Sequence, residues 1–318
     1  MFTERSKANQ LILSITPNPS LDLSGTVDGF KQNEKSYVTA ELRSPGGNAI
    51  NAARILNRLG VRVLATGFLG GHIGQEVGKL LDLEGVKNKF IQIRGSTRIN
   101  VTISNNRDHQ QTRLSFQGPE IEKRENQKLL KLFEVSENIK LLTVGGSLPN
   151  GFTVKHVKKL ISMAKERSIP TVIDCPGQIL KQIISAQPLL IKPNLDEFHR
   201  LTGTHVKTIP AVEKEARKLL DLVPFICVSS VDNGTLLVTR EGSYFGRIPK
   251  FKIRSTVGAG DSMVGAMMSQ LFKGDFSDIE LLRWGLAGSA ATLGQPGTTL
   301  GSKVQIQHFL GKVKVIEL

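Results

Sequence analysis

The stretch Ser255-Thr256-Val257-Gly258-Ala259-Gly260-Asp261-Ser262-Met263-Val264-Gly265-Ala266 joins a glycine turn to an acid and then to an apolar run with helical spacing. Glycine permits backbone angles that residues with a Cβ resist. The N–H groups of Gly258, Ala259 and Gly260 would therefore point outward at a helix N-terminus, where an anion is stabilised. Asp261 could accept a proton there as a general base. It could also simply cap the helix, but the closely flanking glycines favour catalysis.

A second motif, Ser44-Pro45-Gly46-Gly47-Asn48-Ala49-Ile50-Asn51-Ala52-Ala53-Arg54, lies far upstream. In this order the two motifs resemble the two signatures of the PfkB (ribokinase-like) sugar kinases, and the likeness extends from Leu11 to about Leu300. It is closest to the branch that phosphorylates phosphosugars. The resemblance implies an anion hole at residues 258–260, a catalytic base at Asp261 and a sugar site that includes Gly46, Gly47 and Asn51.

The composition is that of a soluble globular chain with an excess of positive charge. Of 318 residues, 39% are hydrophobic and 22% charged, which is ordinary for such proteins. Apolar runs are shorter than the roughly 20 residues of a membrane helix, and residues 1–10 lack the apolar centre of a signal peptide. We therefore expect a cytoplasmic protein without membrane contact. Cys175 and Cys227 lack metal-ligand spacing, which predicts two buried thiols.

The net charge of +14 has two interpretations, nucleic-acid binding and attraction of anionic substrates. One Trp and two Tyr leave few stacking platforms, and the basic residues are scattered along helix-like stretches. Nucleic acid is therefore an unlikely partner, and nucleotides or sugar phosphates are the expected ones.

Strand-like and helix-like segments alternate through most of the chain. Apolar runs at residues 11–15, 61–66, 141–145, 171–174, 189–194 and 225–229 predict strands, and the helical periods at 48–59, 75–83, 154–167, 212–222 and 278–293 predict helices. Residues 235–239 and 244–248 predict an edge hairpin, and Trp284 is expected in the core. This alternation favours an α/β fold whose mainly parallel sheet is flanked by helices.

Two further segments have strand-like patterns without a helical period, residues 23–44 and 89–116. The second includes residues 90–93, 99–103 and 112–116. They resemble the small β-sheet lid of PfkB kinases, with residues 1–22, 45–88 and 117–318 as the ribokinase-like core. In that family the apolar lid face often packs on a second lid, so the resemblance implies a homodimer. A closing lid would exclude water from phosphoryl transfer.

The resemblance also assigns the sugar phosphate site residue by residue. Asp22 matches a residue that holds sugar hydroxyls, although a local turn is the alternative interpretation of that position. Ser147 matches a sugar-contacting turn. Lys35, Arg98 and Arg113 match basic residues that face the substrate's own phosphate, although scattered lid charges are usually solvated. The planar fork of Arg98 suits phosphate geometry best.

The ATP and metal sites follow in the second half of the chain. Asn194 and Glu197 match the family's N-x-x-E motif, which organises Mg²⁺. Their side-chain oxygens are the type of ligand that this ion prefers. Glu197 could instead cap the following helix. The nucleotide site is assigned by resemblance to Lys192, Asn194, Ser229, Gly234, Val257, Gly260 and Ser289. Residues 295–298 resemble a stretch associated with a monovalent cation such as K⁺. The family usually has glycine at the position of Val231.

The function predicted from these motifs is ATP-dependent phosphorylation of a sugar phosphate, with fructose 6-phosphate as the expected substrate and fructose 1,6-bisphosphate as the product. Alternatives within the class are fructose 1-phosphate, tagatose 6-phosphate or a non-phosphorylated sugar or nucleoside. Where the phosphosugar branch shows G-G-G-G or G-G-K-G, this chain has Gly46-Gly47-Asn48-Ala49, which keeps those alternatives open. A non-catalytic anion- or nucleic-acid-binding protein on the same scaffold is the alternative from another class.

Overall fold

Strands and helices alternate along the chain in the computed structural model, which describes residues 9–30, 33–108 and 110–318. The strands are β1 Leu11–Thr16, β2 Ser20–Val27, β3 Thr39–Gly46, β4 Val63–Leu69, β5 Ile91–Gln92, β6 Arg98–Asn105, β7 Gln111–Leu114, β8 Ile139–Gly145, β9 Thr171–Asp174, β10 Leu190–Ile191, β11 Phe225–Val231, β12 Gly234–Val238, β13 Ser243–Arg247 and β14 Lys314–Glu317. The helices are α1 Asn48–Arg58, α2 Gly71–Leu83, α3 Lys123–Val135, α4 Val154–Glu166, α5 Gly177–Ile183, α6 Leu195–Thr202, α7 Ile209–Arg217, α8 Ala259–Lys273, α9 Asp278–Leu293 and α10 Lys303–Leu310.

A large sheet forms the centre of the molecule, with the order β14-β13-β12-β11-β10-β9-β8-β1-β4-β5. The neighbours from β11 to β5 pair in parallel, and β12, β13 and β14 add an antiparallel extension. The parallel strands end at one edge, which is where open α/β sheets place their ligands. The predicted α/β fold with a mainly parallel sheet is thus confirmed.

Both faces of the large sheet are covered by helices. On β1, Leu13 and Ile15 belong to the apolar core on one face and Ile12 to the core on the other, because side chains alternate along a strand. The first core includes residues of α3 to α7, and the second includes residues of α1, α2, α8, α9 and α10. Burial on both faces explains why the strand segments have nearly continuous apolar sequences.

A small four-stranded sheet lies apart from the large one, with the order β3-β2-β6-β7. Its outer pairs are antiparallel, and its central pair, β2 with β6, is parallel. Large apolar side chains on and beside this sheet are exposed to solvent: Phe30, Tyr37, Val38, Leu42, Leu114 and Phe116. This sheet corresponds to the predicted lid.

The domain bounds of the lid and core stay a prediction, and three features bear on them. β2 begins at Ser20 and β3 ends at Gly46, so the small sheet extends beyond residues 23–44 at both ends. Residues 90–93 were expected in the small sheet, but Ile91 and Gln92 pair with β4 of the large sheet. The reason is that Ile93 is buried in the large core. Residues 1–8, 31, 32 and 109 of the predicted ranges lie outside the described residues.

Several predicted elements differ from the observed ones. The expected strand at residues 189–194 is limited to Leu190–Ile191, because Pro193 lacks a ladder donor and helix α6 begins directly after Asn194. The hairpin β12–β13 was expected at the sheet edge, but β14 pairs with β13 and forms that edge. Trp284 is only partly buried, and the ammonium group of Lys273 lies 4.9 Å from its ring centroid.

The expectation of two buried thiols is confirmed. Cys175 and Cys227 are both buried free thiols. None of the helices in the described residues has the length and apolar character needed to cross a membrane.

Candidate active site

A polar cleft of about 720 Å³ lies between the small sheet and the carboxyl ends of the parallel strands. Asp22 and Arg98 line it from the small sheet, and Asp174 and Lys192 line it from the ends of the large-sheet strands. Asp261, at the N-terminus of α8, completes the lining. The structure therefore gathers side chains from distant parts of the chain around the predicted base.

In the glycine turn before α8, the special backbone angles predicted for residues 258–260 occur only at Gly258, and Ala259 and Gly260 already belong to the helix. Gly258 is the N-cap residue in the left-handed region, with φ of 75°, and the helix has no side-chain cap. A Cβ at this position would lie 2.5 Å from Cδ2 of Leu300. At Gly260 a Cβ would lie 3.2 Å from Nζ of Lys192, so the glycine lets the lysine approach the turn. The first N–H groups of α8 have no intrahelical acceptor and so can bind an anion.

Asp261 lies in the first turn of α8, but its side chain does not cap that helix. Its Oδ2 atom accepts a hydrogen bond from Nδ2 of Asn51 on α1, at 2.8 Å. Burial, reinforced by the nearby Asp174 carboxylate, raises the pKa of Asp261 to about 7, against the opposing effects of Asn51 and Lys192. A carboxylate whose pKa is near neutrality is suited to take up a proton as a general base.

Asp22 is held on the small-sheet side of the cleft. Its Oδ1 atom accepts hydrogen bonds from Ser20 Oγ at 2.6 Å and from Asn100 Nδ2 at 3.1 Å. Burial raises its pKa although both hydrogen bonds lower it. A Cβ at Gly46 would overlap the Asp22 carboxylate. Gly46 thus leaves room for the Asp22 carboxylate between the paired strands. The alternative interpretation of Asp22 as a turn residue is wrong, because Asp22 lies within β2.

Two turns form the floor of the cleft. Gly47 is the N-cap residue of α1 with φ of 118°, and a Cβ there would lie 2.5 Å from Cγ2 of Thr16. Ser147 follows β8, and its hydroxyl accepts a hydrogen bond from Nδ2 of Asn18 at 3.1 Å. Gly47 and Ser147 therefore both line the polar cleft.

The three basic residues assigned to the sugar's phosphate have different positions. Arg98 lines the cleft and donates hydrogen bonds to the carbonyl oxygens of Phe116, at 2.7 Å, and Asn18, at 2.9 Å. Its Nε atom is buried and has no hydrogen-bond acceptor within the described part of the chain. Arg113 also lines the cleft and donates to the hydroxyl of Thr256. Lys35 is exposed between β2 and β3 and does not line the cleft.

A second pocket of about 920 Å³ adjoins the cleft on the other side of the glycine turn. Lys192, Asn194 and Gly260 line both cavities. Residues predicted to bind the nucleotide, Ser229, Gly234 and Ser289, line this pocket together with apolar side chains of Phe251, Ile253, Met263 and Leu286. An apolar wall beside polar groups suits a nucleotide base. Val257, also assigned to the nucleotide, lines the first cleft instead.

Lys192 is buried where the two cavities meet. Its Nζ atom lies 3.6 Å from Oδ1 of Asp174, whose Oδ2 accepts a hydrogen bond from Asn48 Nδ2 at 3.0 Å. Burial lowers the pKa of Lys192, but the charges of Asp174 and Glu197 outweigh this and hold it above its ordinary value. Sequence reasoning did not assign a role to Asp174 or Asn48. The position of Asp174 as the last residue of a buried strand was the available signal.

Asn194 and Glu197 form a capping box at the start of α6. The Asn194 N–H donates to Glu197 Oε2 and the Glu197 N–H donates to Asn194 Oδ1, both at 2.9 Å. The capping alternative for Glu197 is therefore realised, but its Oε1 atom is not used in the box. Burial raises the pKa of Glu197. No group of three or more metal-ligating side chains occurs among the described residues.

Comparison with known proteins shows the family to which the chain belongs. The sequence profile of the pfkB family carbohydrate kinases matches residues 15–305 of the chain. The chain belongs to the pfkB family. The predicted family and its enzyme class, a phosphotransferase with an alcohol group as acceptor, are thereby confirmed.

Relatives and solved structures of this family cover almost the whole chain. The 1-phosphofructokinase of Bacillus subtilis is 29% identical over 97% of this chain and 100% of the relative. The tagatose-6-phosphate kinase of Staphylococcus epidermidis is 32% identical over 86% of this chain and 89% of the relative. Phosphofructokinase-2 from Escherichia coli, solved in complex with substrates and products, superposes with a TM-score of 0.90 at 29% identity, covering 95% of this chain and 98% of that one. The carbohydrate kinase fold is therefore shared over about 95% of the chain.

Proposed function

We propose that this pfkB family kinase transfers the terminal phosphoryl group of ATP to a sugar phosphate, with fructose 6-phosphate as the acceptor and fructose 1,6-bisphosphate as the product. The observation that carries the proposal is the position of the Asp261 carboxylate. It lies at the helix N-terminus where the polar cleft meets the second pocket, and Asn51 holds it. The names of the Bacillus and Staphylococcus relatives support a phosphosugar as the acceptor.

In the proposed reaction Asp261 takes the proton of the acceptor hydroxyl as that oxygen attacks the phosphoryl group. The N–H groups of Gly258, Ala259 and Gly260 would donate to the oxygens of the phosphoryl group in transfer, and Lys192 would add a positive charge beside them. Such fixed donors act without reorganisation at the moment of transfer. Asp22 and its neighbours would orient the sugar hydroxyls.

The magnesium ion expected for such a transfer would be held near Asn194 and Glu197, in part through water. When bound, it would neutralise negative charge on the nucleotide phosphates. We also propose a monovalent cation at residues 295–298. A potassium complex of the Escherichia coli phosphofructokinase-2 supports this assignment. Its test is turnover in K⁺ compared with Na⁺ at equal ionic strength.

Arg98 and Arg113 are proposed to bind the phosphate that the sugar already carries. Both line the cleft, and burial lowers the pKa of each guanidinium while a nearby carboxylate opposes this, Asp22 for Arg98 and Asp261 for Arg113. A phosphate placed there would add charge-assisted hydrogen bonds, with the Nε atom of Arg98 as one free donor.

We further propose a homodimer in which the exposed apolar side chains of the small sheet pack against those of a second copy. Phe116, Leu114 and Tyr37 are 58%, 54% and 80% exposed in the isolated chain. Lys35 lies on the same exposed segment as Tyr37, so its predicted phosphate contact would require the second copy's cleft. Light scattering that gives only the 34.8 kDa monomer at working concentration would refute the dimer. The proposed substrates are metabolites of the cell interior, which is the basis for proposing a cytoplasmic location.

The direct test is a coupled ADP-release assay with ATP, Mg²⁺ and a panel of acceptors. The panel contains fructose 6-phosphate, fructose 1-phosphate, tagatose 6-phosphate and fructose. The proposal expects the highest kcat/KM with fructose 6-phosphate. A preference for one of the other two phosphosugars would keep the reaction class and change the acceptor. A preference for fructose would overturn the phosphosugar assignment, and no sugar-dependent ADP release with any acceptor would favour a non-catalytic anion-binding protein.

A further inference from the structure

A chain of hydrogen-bonded polar side chains leads from the candidate base through two buried residues to Glu84, the C-cap residue of α2. Asp261 accepts a hydrogen bond from Asn51 Nδ2 at 2.8 Å, and Asn51 Oδ1 accepts one from Arg54 Nη1 at 3.0 Å. Arg54 in turn donates to both carboxylate oxygens of Glu84, at distances of 2.6 to 3.0 Å. Asn51 is 5% and Arg54 3% exposed, so solvent cannot substitute for these partners.

The chemistry of Arg54 fixes which way the Asn51 amide faces. A guanidinium group carries only donors, whereas an amide side chain has one oxygen acceptor and one NH₂ donor. The amide must therefore turn its oxygen to Arg54, and this leaves the NH₂ group for Asp261. The opposite orientation would place the amide oxygen against the Asp261 carboxylate, two acceptors that repel unless the acid is protonated. Asn51 and Arg54 are three residues apart on α1, which brings their side chains to one face of the helix.

Arg54 itself is held from two further directions. It donates to the carbonyl oxygen of Pro45 at 3.2 Å, at the end of β3 next to the turn that begins α1. Glu84 also accepts from Arg58 at 3.1 Å. Burial pushes the pKa of Glu84 up, but the hydrogen bonds and charges of Arg54 and Arg58 outweigh it and lower the pKa below its ordinary value. Glu84 is therefore a fixed anion that determines where the Arg54 guanidinium lies.

We propose that Arg54 is a positioning residue for the kinase reaction: by fixing the Asn51 amide, it keeps a hydrogen-bond donor directed at the Asp261 carboxylate. The inference rests on the proposed function of Asp261 as the general base. Arg54 does not line either cavity, so it reaches Asp261 through its hydrogen bond to Asn51, and its charge also lowers the pKa of Asp22 on the other side of the cleft.

The groups that face Asp261 come from several elements. The negative charges of Asp174 and Asp22 disfavour its ionised form, while Asn51 and Lys192 favour it. Arg113 of the small sheet is a further charge beside it. Arg54→Met leaves these groups in place but removes both the group that presents the Asn51 donor and a positive charge that acts on Asp22, whereas Arg54→Lys keeps the charge. Loss of that donor disfavours the carboxylate and so shifts its protonation to higher pH.

The test compares Arg54→Met with Arg58→Met in the full-length enzyme. Both variants remove a cation that pairs with Glu84, and both side chains donate to backbone carbonyl oxygens, Arg58 to those of Leu300 and Gly301. Only Arg54 contacts Asn51. We expect the acid limb of kcat/KM for fructose 6-phosphate to move up by about one pH unit in Arg54→Met, and to remain at the wild-type position in Arg58→Met.

Arg54→Lys is the milder variant if Arg54→Met does not fold. A single ammonium group cannot span Glu84 and Asn51 as the guanidinium does, so the same upward shift is expected. A loss of activity by the same factor at every pH, matching that of Arg58→Met, would mean that Arg54 has only a structural role and would overturn the proposal.

A second measurement separates this inference from the proposed function. The side-chain carboxyl ¹³C resonance of Asp261, assigned by comparison with Asp261→Asn, reports its titration without turnover. If wild type has no sugar-dependent activity, the proposed function fails, and this titration still decides the role of Arg54. An upward shift in Arg54→Lys supports the positioning of Asn51, and an unchanged titration refutes it.

Discussion

Replacing Arg98 by alanine separates recognition of the sugar's phosphate from maintenance of the cleft. In the structure this guanidinium donates to the carbonyl oxygens of Phe116 and Asn18, and its Nε atom has no acceptor among the described residues. Arg98→Ala therefore removes a candidate phosphate donor and also frees two backbone carbonyl groups. The two effects have different signatures in the kinetics.

The expected loss in phosphosugar binding follows from one charge-assisted contact. Removing such a contact costs about 1.5–3 kcal/mol, which corresponds to a roughly ten- to hundredfold higher KM for fructose 6-phosphate. The KM for ATP should change little, because Arg98 does not line the second pocket. Release of the two carbonyl groups should lower the Tm. It should also weaken the binding of fructose and the binding of fructose 6-phosphate to the same extent.

The assay measures KM for fructose 6-phosphate and fructose with wild type, Arg98→Ala and Arg94→Ala. Arg94 is a matched control of the same charge four residues away, with a side chain that is 84% exposed. The phosphate assignment predicts a selective loss with fructose 6-phosphate in Arg98→Ala alone. Equal losses with both sugars, or a comparable loss in Arg94→Ala, would refute it.

Three further outcomes are expected. The value of kcat/KM should rise with pH through about 7, because Asp261 must be deprotonated to act as the base. A flat profile of kcat/KM from about pH 5.5 to 8.5 would contradict this. Lys192→Met should lower kcat by roughly a hundredfold or more in the same assay, since it removes the buried cation beside the glycine turn; a near-wild-type kcat would exclude Lys192 from the transfer. Gly258→Ala and Gly274→Ala, at the two ends of α8, both place a Cβ on a left-handed residue at a cost of about 1–2 kcal/mol, and Gly258→Ala costs more because its Cβ would lie 2.5 Å from Cδ2 of Leu300. Calorimetry should show a loss of stability in both variants, but only Gly258→Ala should abolish most of the activity.

The linkage between stability and pH gives a related expectation. The folded-state pKa of Asp261 is above its ordinary value of 3.8, so the folded state binds the proton more tightly than the unfolded chain. Stability from this group is therefore complete below the ordinary pKa and is lost as the pH rises to about 7. Asp261→Asn, which carries no charge at any pH, should be at least as stable as wild type above pH 7 by thermal unfolding. A large destabilisation there would contradict the burial argument.

Much of the fold could be predicted from local sequence because its cause is local. The apolar run at residues 11–15 is strand β1, and the amphipathic period at 154–167 is helix α4. In both cases the pattern of apolar residues indicates whether one or both faces of the element are buried. Residues 90–93 have the same strand-like pattern as the lid strands. Their place in the large sheet depends on pairing with Phe68 and Leu69, which lie more than twenty residues away in sequence.

The candidate site also combines features that the local sequence predicts with contacts that it does not predict. The glycine turn and Asp261 could be predicted because the turn chemistry and the helix start are adjacent in sequence. The hydrogen bond from Asn51 to Asp261 spans 210 residues, and that from Asn48 to Asp174 spans 126. Such partners are brought together by the way the strands align at one edge of the sheet. No local residue pattern indicates this alignment. The role of Arg54 could not be predicted for the same reason, since nothing in the local sequence indicates which residues a buried arginine on an apolar helix contacts.

The most direct test of the account is the rate of ADP formation by purified wild type and Asp261→Asn with fructose 6-phosphate, ATP and Mg²⁺. The amide keeps the shape of the side chain and can still pair with Asn51, but it cannot take up the hydroxyl proton. We predict sugar-dependent ADP release by wild type and a loss of roughly a hundredfold or more in kcat for the variant, with an unchanged KM for ATP. Near-normal turnover by the folded variant would contradict the assignment of Asp261 as the base and with it the proposed mechanism.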